Sequence, residues 1–271
     1  MTLTRGGIRA RPRATLALTA AASGLLLCAA IAAEPVAAAA TVNGGGERST
    51  LSFGRAGKVT TELRFTFDRR ESLRAGTTVR DVSGHRNHGT VKTSNGGHLR
   101  KVNGAPGKAA KFPCIGCGRA LINVPDRRNL DPGRNPFWFG ASVKVADREA
   151  RRGNDPNILQ KCLISQPGTR WKLELIGSRP QCTIRGSAGQ LVVRATQHVD
   201  NATWHQLQCR RQNGVVSLWI DGAVAAQKTG RTGRVANSAP VRIGAKALAS
   251  GGGNDQYHGR LDSVFLKIDR R

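Results

Sequence analysis

Apolar and polar residues alternate most regularly between Trp204 and Gly222, and this pattern predicts a run of antiparallel strands. Leu207 and Cys209 alternate with polar neighbours, and a second alternation lies between Asn213-Gly214 and Asp221-Gly222. Asn-Gly and Asp-Gly pairs readily adopt the positive φ angles that both central positions of a tight type I′ turn require. The segment, continued by the residues that follow Gly222, is therefore predicted to form a three-stranded meander.

The rest of the chain contains short β-rich runs separated by Gly, Pro, Asn and Asp, and it contains no convincing long amphipathic helix. Many short strands at close spacing, with turn signals between them, are typical of a β-sandwich or jelly roll. The predicted strands are Ala109–Phe112, Ala120–Val124, Phe137–Val145, Ile158–Lys161, Trp171–Ile176, Leu191–Ala195 and Val241–Gly244.

The first forty residues are predicted to be a secretory signal peptide. Four arginines precede an apolar stretch, Leu16–Ala33, and Ala38–Ala40 offers small residues for cleavage before Thr41. The alternative is a single membrane anchor, and no second apolar span of about twenty residues follows. Residues 41–60 are predicted to be a flexible, Gly- and Ser-rich lead-in, and residues 61–271 a single secreted domain.

The chain is strongly basic, with 43 Lys and Arg against 17 Asp and Glu. Loss of four arginines and Glu34 with the leader leaves 39 basic and 16 acidic residues, a formal charge of +23. Such a charge favours contact with polyanions such as anionic wall polymers or sulfated glycans. The charges are scattered rather than clustered on a helix, which argues against sequence-specific binding to nucleic acid. A plain, well-solvated secreted surface remains an alternative interpretation.

Three motifs stand in order along the chain: the strand Leu63–Asp68 with the turn residues Asp81–Gly84 and Asn87–Gly89, the Trp204–Gly222 meander, and the closing strand Tyr257–Ile268. Together they resemble the laminin G-like domains of the concanavalin A-like lectin and glucanase superfamily, of the bacterial secreted type. The resemblance covers roughly Leu63 to Ile268, and it implies an all-β, two-sheet antiparallel jelly-roll sandwich. Because this fold hosts lectins, hydrolases and adhesion modules, the motifs indicate the fold rather than the function.

Of the six cysteines, Cys28 lies in the leader and five remain in the exported chain, where disulfides are the usual state. The resemblance implies a bridge between Cys182 and Cys209. Cys114 and Cys117 are predicted to form a local disulfide, with a zinc or redox site and rearranged pairings as alternatives. Cys162 is then the unpaired thiol, in a predicted strand.

The sequence lacks the residue pattern of a hydrolase on this fold. Such enzymes generally present two carboxylates on one strand face, as Glu-x-Asp-x-Glu, because glycoside cleavage needs an acid and a base or nucleophile. Here only Glu174 lies in a confidently predicted strand, and it has no acidic neighbour two residues away. His205 begins a strand and is interpreted as a packing or hydrogen-bonding residue. The chain is predicted not to be an enzyme.

The resemblance also implies a possible structural calcium ion that pins the first strand to the last. Asp68 and Asp262 match the positions of its carboxylate ligands, and backbone carbonyls and water would complete six to eight oxygens. The alternative is that Asp68 caps a turn and Asp262 bonds the backbone. Asp81 is expected to organise its own turn with Ser83 and Gly84.

Exposed aromatic rings are the usual stacking partners of sugars, and Trp219 is the candidate ligand-binding residue because it points opposite Leu218 and Ile220. The aromatic residues that are candidates for exposure are Trp138, Trp171, Trp219 and Tyr257. The phenylalanines that are predicted to lie in the core are Phe65, Phe67, Phe112, Phe139 and Phe265.

These observations favour a secreted, non-catalytic module that binds an extracellular glycan or an anionic cell-wall polymer. One alternative is a glycoside hydrolase or lyase of the same fold with an unrecognised site, which would release reducing ends from a polysaccharide. Another is a structural or protein-interaction module that binds no glycan.

Overall fold

The computed structural model of the chain describes residues 57–146, 155–163, 166–249 and 253–270. The predicted signal peptide and nearly all of the predicted lead-in lie outside these residues. The described part consists of sixteen strands and one short 3-10 helix, Arg128–Leu130. The strands are β1 Lys58–Phe65, β2 Thr78–Val79, β3 Gly89–Ser94, β4 Arg100–Asn103, β5 Lys108–Lys111, β6 Arg119–Val124, β7 Phe137–Ala146, β8 Asn157–Lys161, β9 Arg170–Ile176, β10 Arg179–Gly186, β11 Gly189–Arg194, β12 Asn201–Gln212, β13 Val215–Ile220, β14 Ala223–Thr229, β15 Val241–Ile243 and β16 Arg260–Arg270.

The strands form two antiparallel sheets of eight strands each. In the first sheet the order is β14-β13-β12-β7-β16-β5-β4, with β1 also paired to β16. In the second sheet the order is β11-β10-β9-β8-β15-β6-β3-β2. Every strand pair among the described residues is antiparallel. The predicted all-β, two-sheet antiparallel jelly-roll sandwich is confirmed.

The meander that the hydrophobic pattern predicts is formed by β12, β13 and β14 at one edge of the first sheet. Asn213 and Gly214 have φ of 51° and 75°, and Asp221 and Gly222 have φ of 50° and 85°. Positive φ at both central residues is the type I′ geometry whose twist matches that of the flanking strands. The local sequence therefore determines both hairpins.

The last strand holds the two ends of the domain together. On one side β16 pairs with β7, and on its other side it pairs first with β5 and then with β1. The predicted opening strand Leu63–Asp68 ends earlier than expected, at Phe65, because Phe67 has a φ of 57° and turns the chain out of the sheet.

Alternate residues of both sheets point into one shared core, as expected for a sandwich. Phe139 of the first sheet and Trp171 of the second meet there with ring centroids 4.7 Å apart. Trp171 and Tyr257 were candidates for exposure, but both are fully buried. Trp171 lies between core residues on an inward-facing row of β9, and the Tyr257 ring packs edge-on against Phe112, so neither ring can stack on a ligand.

Both predicted disulfides are present. Cys182–Cys209 joins β10 of the second sheet to β12 of the first through the core, with Cα atoms 5.8 Å apart. Cys114–Cys117 closes a local turn, and Cys162 is a free, buried cysteine. Among the residues that the structure describes, no helix has the length and apolar character needed to cross a membrane.

Candidate functional site

A well-formed cavity opens on the outer face of the second sheet, where β8 and β15 lie side by side. Its volume is about 460 Å³, within the range of small-molecule sites. The end of β8 and part of β15 form the floor of the cavity, and the segment before β15 forms one wall. The described residues that line it are Gln160, Cys162, Leu163, Gln166, Pro167, Asn237, Ser238, Ala239, Pro240 and Arg242.

Gln160 is the most informative of these residues. Its side chain is only 1% exposed, and neither the amide oxygen nor the amide nitrogen has a hydrogen-bond partner. A buried amide without partners costs roughly 1–3 kcal/mol. Asn157 on the same strand also has both amide atoms unpaired, but Gln160 differs from it in lining the cavity. Protein atoms cover both amide atoms of Gln160 almost completely, so its side chain must move slightly before the amide can donate to and accept from a bound molecule.

Strand register places positive and polar groups beside this amide. Arg242 of β15 and Lys172 of β9 are the direct neighbours of Gln160 on its two sides. The adjacent residues Leu159, Val241 and Ile243 belong to the core, so this polar row faces outward. Arg242 donates from Nη1 to the Lys246 carbonyl oxygen at 2.6 Å, which anchors the guanidinium at the cavity edge.

Arg242 also lines a second, smaller cavity of about 180 Å³. The two cavities lie beside each other on the outer face of the second sheet and share Arg242, and we call them together the β15 groove. The other residues that line the smaller cavity are Lys92, Leu121, Asn123, Ala247 and Leu248.

The wall of the larger cavity is fixed by a polar network behind it. The Asn237 backbone N–H donates to Asp131 Oδ1 at 3.2 Å, and its side-chain amide donates to the Thr169 carbonyl at 2.8 Å. The Asn237 side-chain oxygen accepts the Ala239 N–H at 2.9 Å. Lys161, which is fully buried, bonds both the Asn237 carbonyl and Asp131. The cavity is thus built before any ligand enters.

The described lining of the groove includes polar and basic side chains. None of the described residues that line either cavity is an aspartate or a glutamate. Glu174, on the outer face of β9, is an ion-pair partner of Lys172 and accepts a hydrogen bond from Gln181 at 3.0 Å. It is buried in this network, so it is not available as a general acid or base on a ligand in the groove.

Trp219, the residue that the sequence favoured for ligand binding, lies on the outer face of the first sheet, opposite the β15 groove. The Arg210 guanidinium lies 3.9 Å from its ring centroid, and its indole N–H donates to Ser217 at 2.8 Å. The ring is half-buried, and so are Trp138 and Phe265 on the same face. Phe265 was expected in the core, but a register shift in β16 turns it outward. A stacking role for Trp219 remains a prediction.

His205 has the hydrogen-bonding role that the sequence indicated. Its Nδ1 lies 2.7 Å from Asp221 Oδ2 and its Nε2 lies 3.0 Å from Asn201 Oδ1. Asp221 also accepts the Gln206 backbone N–H at 2.7 Å. The contacts tie the second hairpin turn back onto β12.

Asp81 likewise organises its own turn. One carboxylate oxygen accepts the backbone N–H groups of Arg64 and Ser83, each at 2.9 Å. The other accepts the Ser83 hydroxyl at 2.7 Å and the Asn87 N–H at 2.9 Å. This carboxylate is fully engaged in holding the segment after β2 against β1.

Asp68 and Asp262 both contact the loop between β4 and β5. Asp68 Oδ1 accepts the Lys108 N–H at 2.7 Å, and Asp262 Oδ2 accepts the Ala105 N–H at 3.3 Å. Gly104 lets this approach happen, because a Cβ there would lie 2.8 Å from Asp262 Oδ2. The two carboxylates are close enough for Asp68 to disfavour ionisation of Asp262.

This pair partly fits the calcium site that the resemblance implies. Two neighbouring carboxylates would attract a hard cation, and loop carbonyls would have to supply the remaining oxygens. No group of three or more Asp, Glu, His or Cys side chains gathers in the described residues. The backbone bonds of Asp68 and Asp262 also agree with the alternative of turn and backbone support, so both interpretations stay open.

The buried Asp262 predicts a specific pH dependence of stability. Burial raises the pKa of its carboxyl above the ordinary value, 3.8, and Asp68 raises it further, against lowering by backbone hydrogen bonds from Ala105 and Ser263. Because the folded state binds this proton more tightly than the unfolded state, this contribution to the unfolding free energy falls as pH rises from about 3.8 through the raised value. Asp262→Asn is expected to remove that component.

Urea unfolding from pH 3 to pH 7 measures the effect as the difference between wild type and Asp262→Asn. The difference should shift in favour of the variant as pH rises; a constant difference would contradict the assignment. Repeating the series with calcium separates the two interpretations. A bound cation would stabilise wild type above pH 5 and leave the variant unchanged, whereas pure turn support predicts no calcium effect on either.

Two antiparallel eight-stranded sheets around one core, with strand order that returns the last strand to the middle of its sheet, define the class of concanavalin A-like jelly rolls. The laminin G-like family model of the concanavalin A-like lectin/glucanases superfamily matches residues 131–266, half of the chain, and the chain belongs to this family. No curated protein matches the sequence.

Solved structures with a similar fold are distant in sequence. Domain 4 of AbnA, a GH43 extracellular arabinanase from Geobacillus stearothermophilus, solved with arabinotriose, is 18% identical with a TM-score of 0.57; the match covers 78% of this chain and 93% of that one. The binding domain of Paraclostridial Mosquitocidal Protein 1 is 14% identical with a TM-score of 0.55. The binding domain of botulinum neurotoxin DC, in complex with SialylT, is 12% identical with a TM-score of 0.55.

The match to each of the two toxin domains covers 78% of this chain, and the chain spans about half of their length, 49% and 48%. At these identities the likeness shows the shared fold.

The sequence did not identify the β15 groove. Gln160 is one polar residue in a short apolar strand, Asn157–Lys161, and Arg242 is one of many scattered arginines. The sequence signal for the site was a glutamine, Gln160, at an outward-facing strand position among core residues. That its amide has no hydrogen-bond partner is visible only in the structure.

Proposed function

We propose that this protein is a secreted, non-catalytic module that binds an extracellular glycan in the β15 groove. The observation that supports the site most strongly is the Gln160 amide, which is buried at the floor of a cavity of about 460 Å³ with no hydrogen-bond partner. A sugar presents hydroxyls that both donate and accept, so a ring hydroxyl pair can satisfy both atoms of the amide.

Structural neighbours support the choice of ligand class. AbnA domain 4 was solved with arabinotriose, and botulinum neurotoxin type C is described as entering cells through interaction with two ganglioside molecules. These ligands belong to those proteins. Those ligands support a glycan as the ligand class, because this chain has the same jelly-roll fold. The β15 groove of this chain supplies a polar cavity in which a glycan could bind.

The charge of the groove favours an anionic glycan over a neutral one. Arg242 lies between the two cavities and Lys92 lines the smaller one, and the described lining contains no carboxylate. An arginine beside a fixed amide can hold a uronate or phosphate group through charge-assisted hydrogen bonds. The net charge of the full chain, +26, would draw such polymers to the surface.

Gln160→Leu provides the sharpest test of this site. The variant keeps the size of the side chain and removes both unpaired polar atoms, so folding stability should be unchanged or rise by about 1 kcal/mol. Glycan affinity should fall about tenfold or more, because a hydrogen-bonding amide is replaced by an apolar group. Binding to neutral and anionic polysaccharides at low and high salt, together with thermal unfolding, measures both effects.

Gln227→Leu is the matched control, because it makes the same change at an exposed position of β14 in the first sheet and should leave the affinity unchanged. Binding that disappears with salt and is equal in wild type and Gln160→Leu would assign the contact to net charge and overturn the proposed site. Release of reducing ends from a bound polysaccharide would favour the hydrolase or lyase alternative. An absence of binding to every glycan would favour a structural or protein-interaction module.

A further inference from the structure

Cys162 is a free thiol in the same cavity as Gln160. It follows β8 directly and is 7% exposed. Of the cysteines that the structure describes, it is the one that forms no disulfide. Its sulfur lies 3.7 Å from both the Leu163 carbonyl oxygen and the Gln166 side-chain oxygen. The thiol lies on the lining of an open cavity, and 7% of the residue remains exposed for contact with a molecule that fits there.

The backbone holds this thiol in an uncommon conformation. Cys162 has a φ of 73°, in the left-handed region that L-residues other than Asn, Asp and Gly seldom occupy. The positive φ of Cys162 ends the regular alternation of β8 at Lys161. Cys162 then lies in the wall of the cavity. Backbone conformations of this kind concentrate at functional sites.

The second observation is independent of the cysteine. The Gln160 amide is unpaired, is more than nine-tenths buried, and lines the same cavity two residues before the thiol. This unpaired amide indicates that the cavity is built to hold a polar molecule next to the sulfur. A buried cysteine by itself would give no such indication.

Positive side chains lie near the thiol. Lys161 pairs with Trp171 across β8 and β9, so Arg170, the residue before Trp171, lies next to Cys162 along the same strand pair. Arg242 lines the same cavity as the thiol. This positive charge favours the approach of a molecule that bears carboxylates.

We propose that Cys162 is a modification site that forms a mixed disulfide with a small, carboxylate-bearing disulfide held in the cavity beside Gln160 and Arg242. The Cys162 thiolate attacks one sulfur of the small disulfide, so a bond forms between Sγ and that sulfur. The original sulfur–sulfur bond breaks, and the departing thiolate takes up the proton that Cys162 loses. The small disulfide is the oxidant, and one of its halves leaves as the reduced thiol.

The adduct would occupy the larger cavity. This consequence rests on the proposed function, since the attached group would fill the space where a glycan is expected to bind. Oxidation by small disulfides outside the cell would then switch glycan binding off, and reduction would restore it.

Mass spectrometry of the intact, folded chain tests the modification without reference to any glycan. Oxidised glutathione, which carries carboxylates, is expected to add one glutathionyl group, located at Cys162 by peptide mapping with both native disulfides intact. Cystamine is cationic and serves as the comparison. The ratio of its reaction rate to that of oxidised glutathione should be about tenfold lower on the folded chain than on the urea-unfolded chain. Cys162→Ser should give no adduct.

Gln160→Leu should slow the reaction of the folded chain with oxidised glutathione about tenfold, while the rate on the unfolded chain stays the same. Thermal unfolding confirms that each variant is folded. No adduct on the folded wild type, or equal preference for the two disulfides in folded and unfolded chains, would overturn the proposal.

Glycan binding by the modified chain is measured afterwards, so that the two proposals fail separately. An adduct that leaves glycan binding unchanged would contradict the switch and move the glycan site away from the cavity. An adduct on a chain that binds no glycan at all would leave the modification site standing and overturn the proposed function.

Discussion

Replacing Lys161 by methionine is expected to lower the free energy of unfolding by about 3 kcal/mol. The Lys161 ammonium is 1% exposed and lies 2.7 Å from one oxygen of Asp126 and 2.7 Å from one oxygen of Asp131. It also bonds the Asn237 carbonyl. Methionine fills the same space but leaves two neighbouring carboxylates without their cation. The loss should sit at the low end of the range for buried pairs, because Asp126 is 32% exposed.

Lys161→Met should also weaken glycan binding, since Lys161 supports the segment around Asn237 that forms the cavity wall. Urea unfolding and glycan titration of the same preparation measure both effects. Lys228→Met, at an exposed position of β14, is the matched control and should change stability by less than about 0.5 kcal/mol. A stability loss under about 1 kcal/mol for Lys161→Met would show that the network contributes little.

Removing the Cys182–Cys209 disulfide by a double change to alanine is expected to cost about 3–4 kcal/mol. The bridge spans 27 residues and connects the two sheets through the core, where both cysteines are fully buried. Without it the unfolded chain gains conformational freedom, and the core loses two sulfur atoms. Urea unfolding should therefore show a lower midpoint and a steeper dependence on urea, because the unfolded state exposes more surface.

The Cys114–Cys117 pair provides the comparison. Its bridge spans only 3 residues and lies in a turn, so the same double change should cost about half as much in the chain-entropy account. Equal losses for the two bridges would contradict the view that the inter-sheet bridge stabilises mainly by restricting the unfolded chain.

Local sequence predicted the meander well because its two turns depend on residues that favour positive φ. Asn213-Gly214 and Asp221-Gly222 fix the hairpins, and the alternation between them fixes which side faces the core. The strands β3 and β4 were missed, since their alternation is short and their burial depends on neighbours that are distant in sequence. Phe265 was misplaced for a related reason, because a register shift in β16 reverses the face that simple alternation assigns.

The site depends on relations that no local pattern contains. Gln160 and Arg242 are separated by 82 positions and become neighbours only when β15 pairs with β8. The free state of Cys162 was predicted from cysteine pairing, but its place on the cavity wall depends on the φ of one residue. Trp219 was favoured from alternation alone, which predicts the face of the sheet but not the Arg210 side chain that covers the ring.

The most direct test of the account follows the side-chain amide resonances of Gln160 by NMR while a glycan that binds is added. If the glycan binds in the β15 groove, these signals shift and saturate at the affinity measured for the whole chain, while the indole N–H signal of Trp219 stays in place. A saturable shift of the Trp219 signal with no change at Gln160 would instead place the glycan on the first sheet.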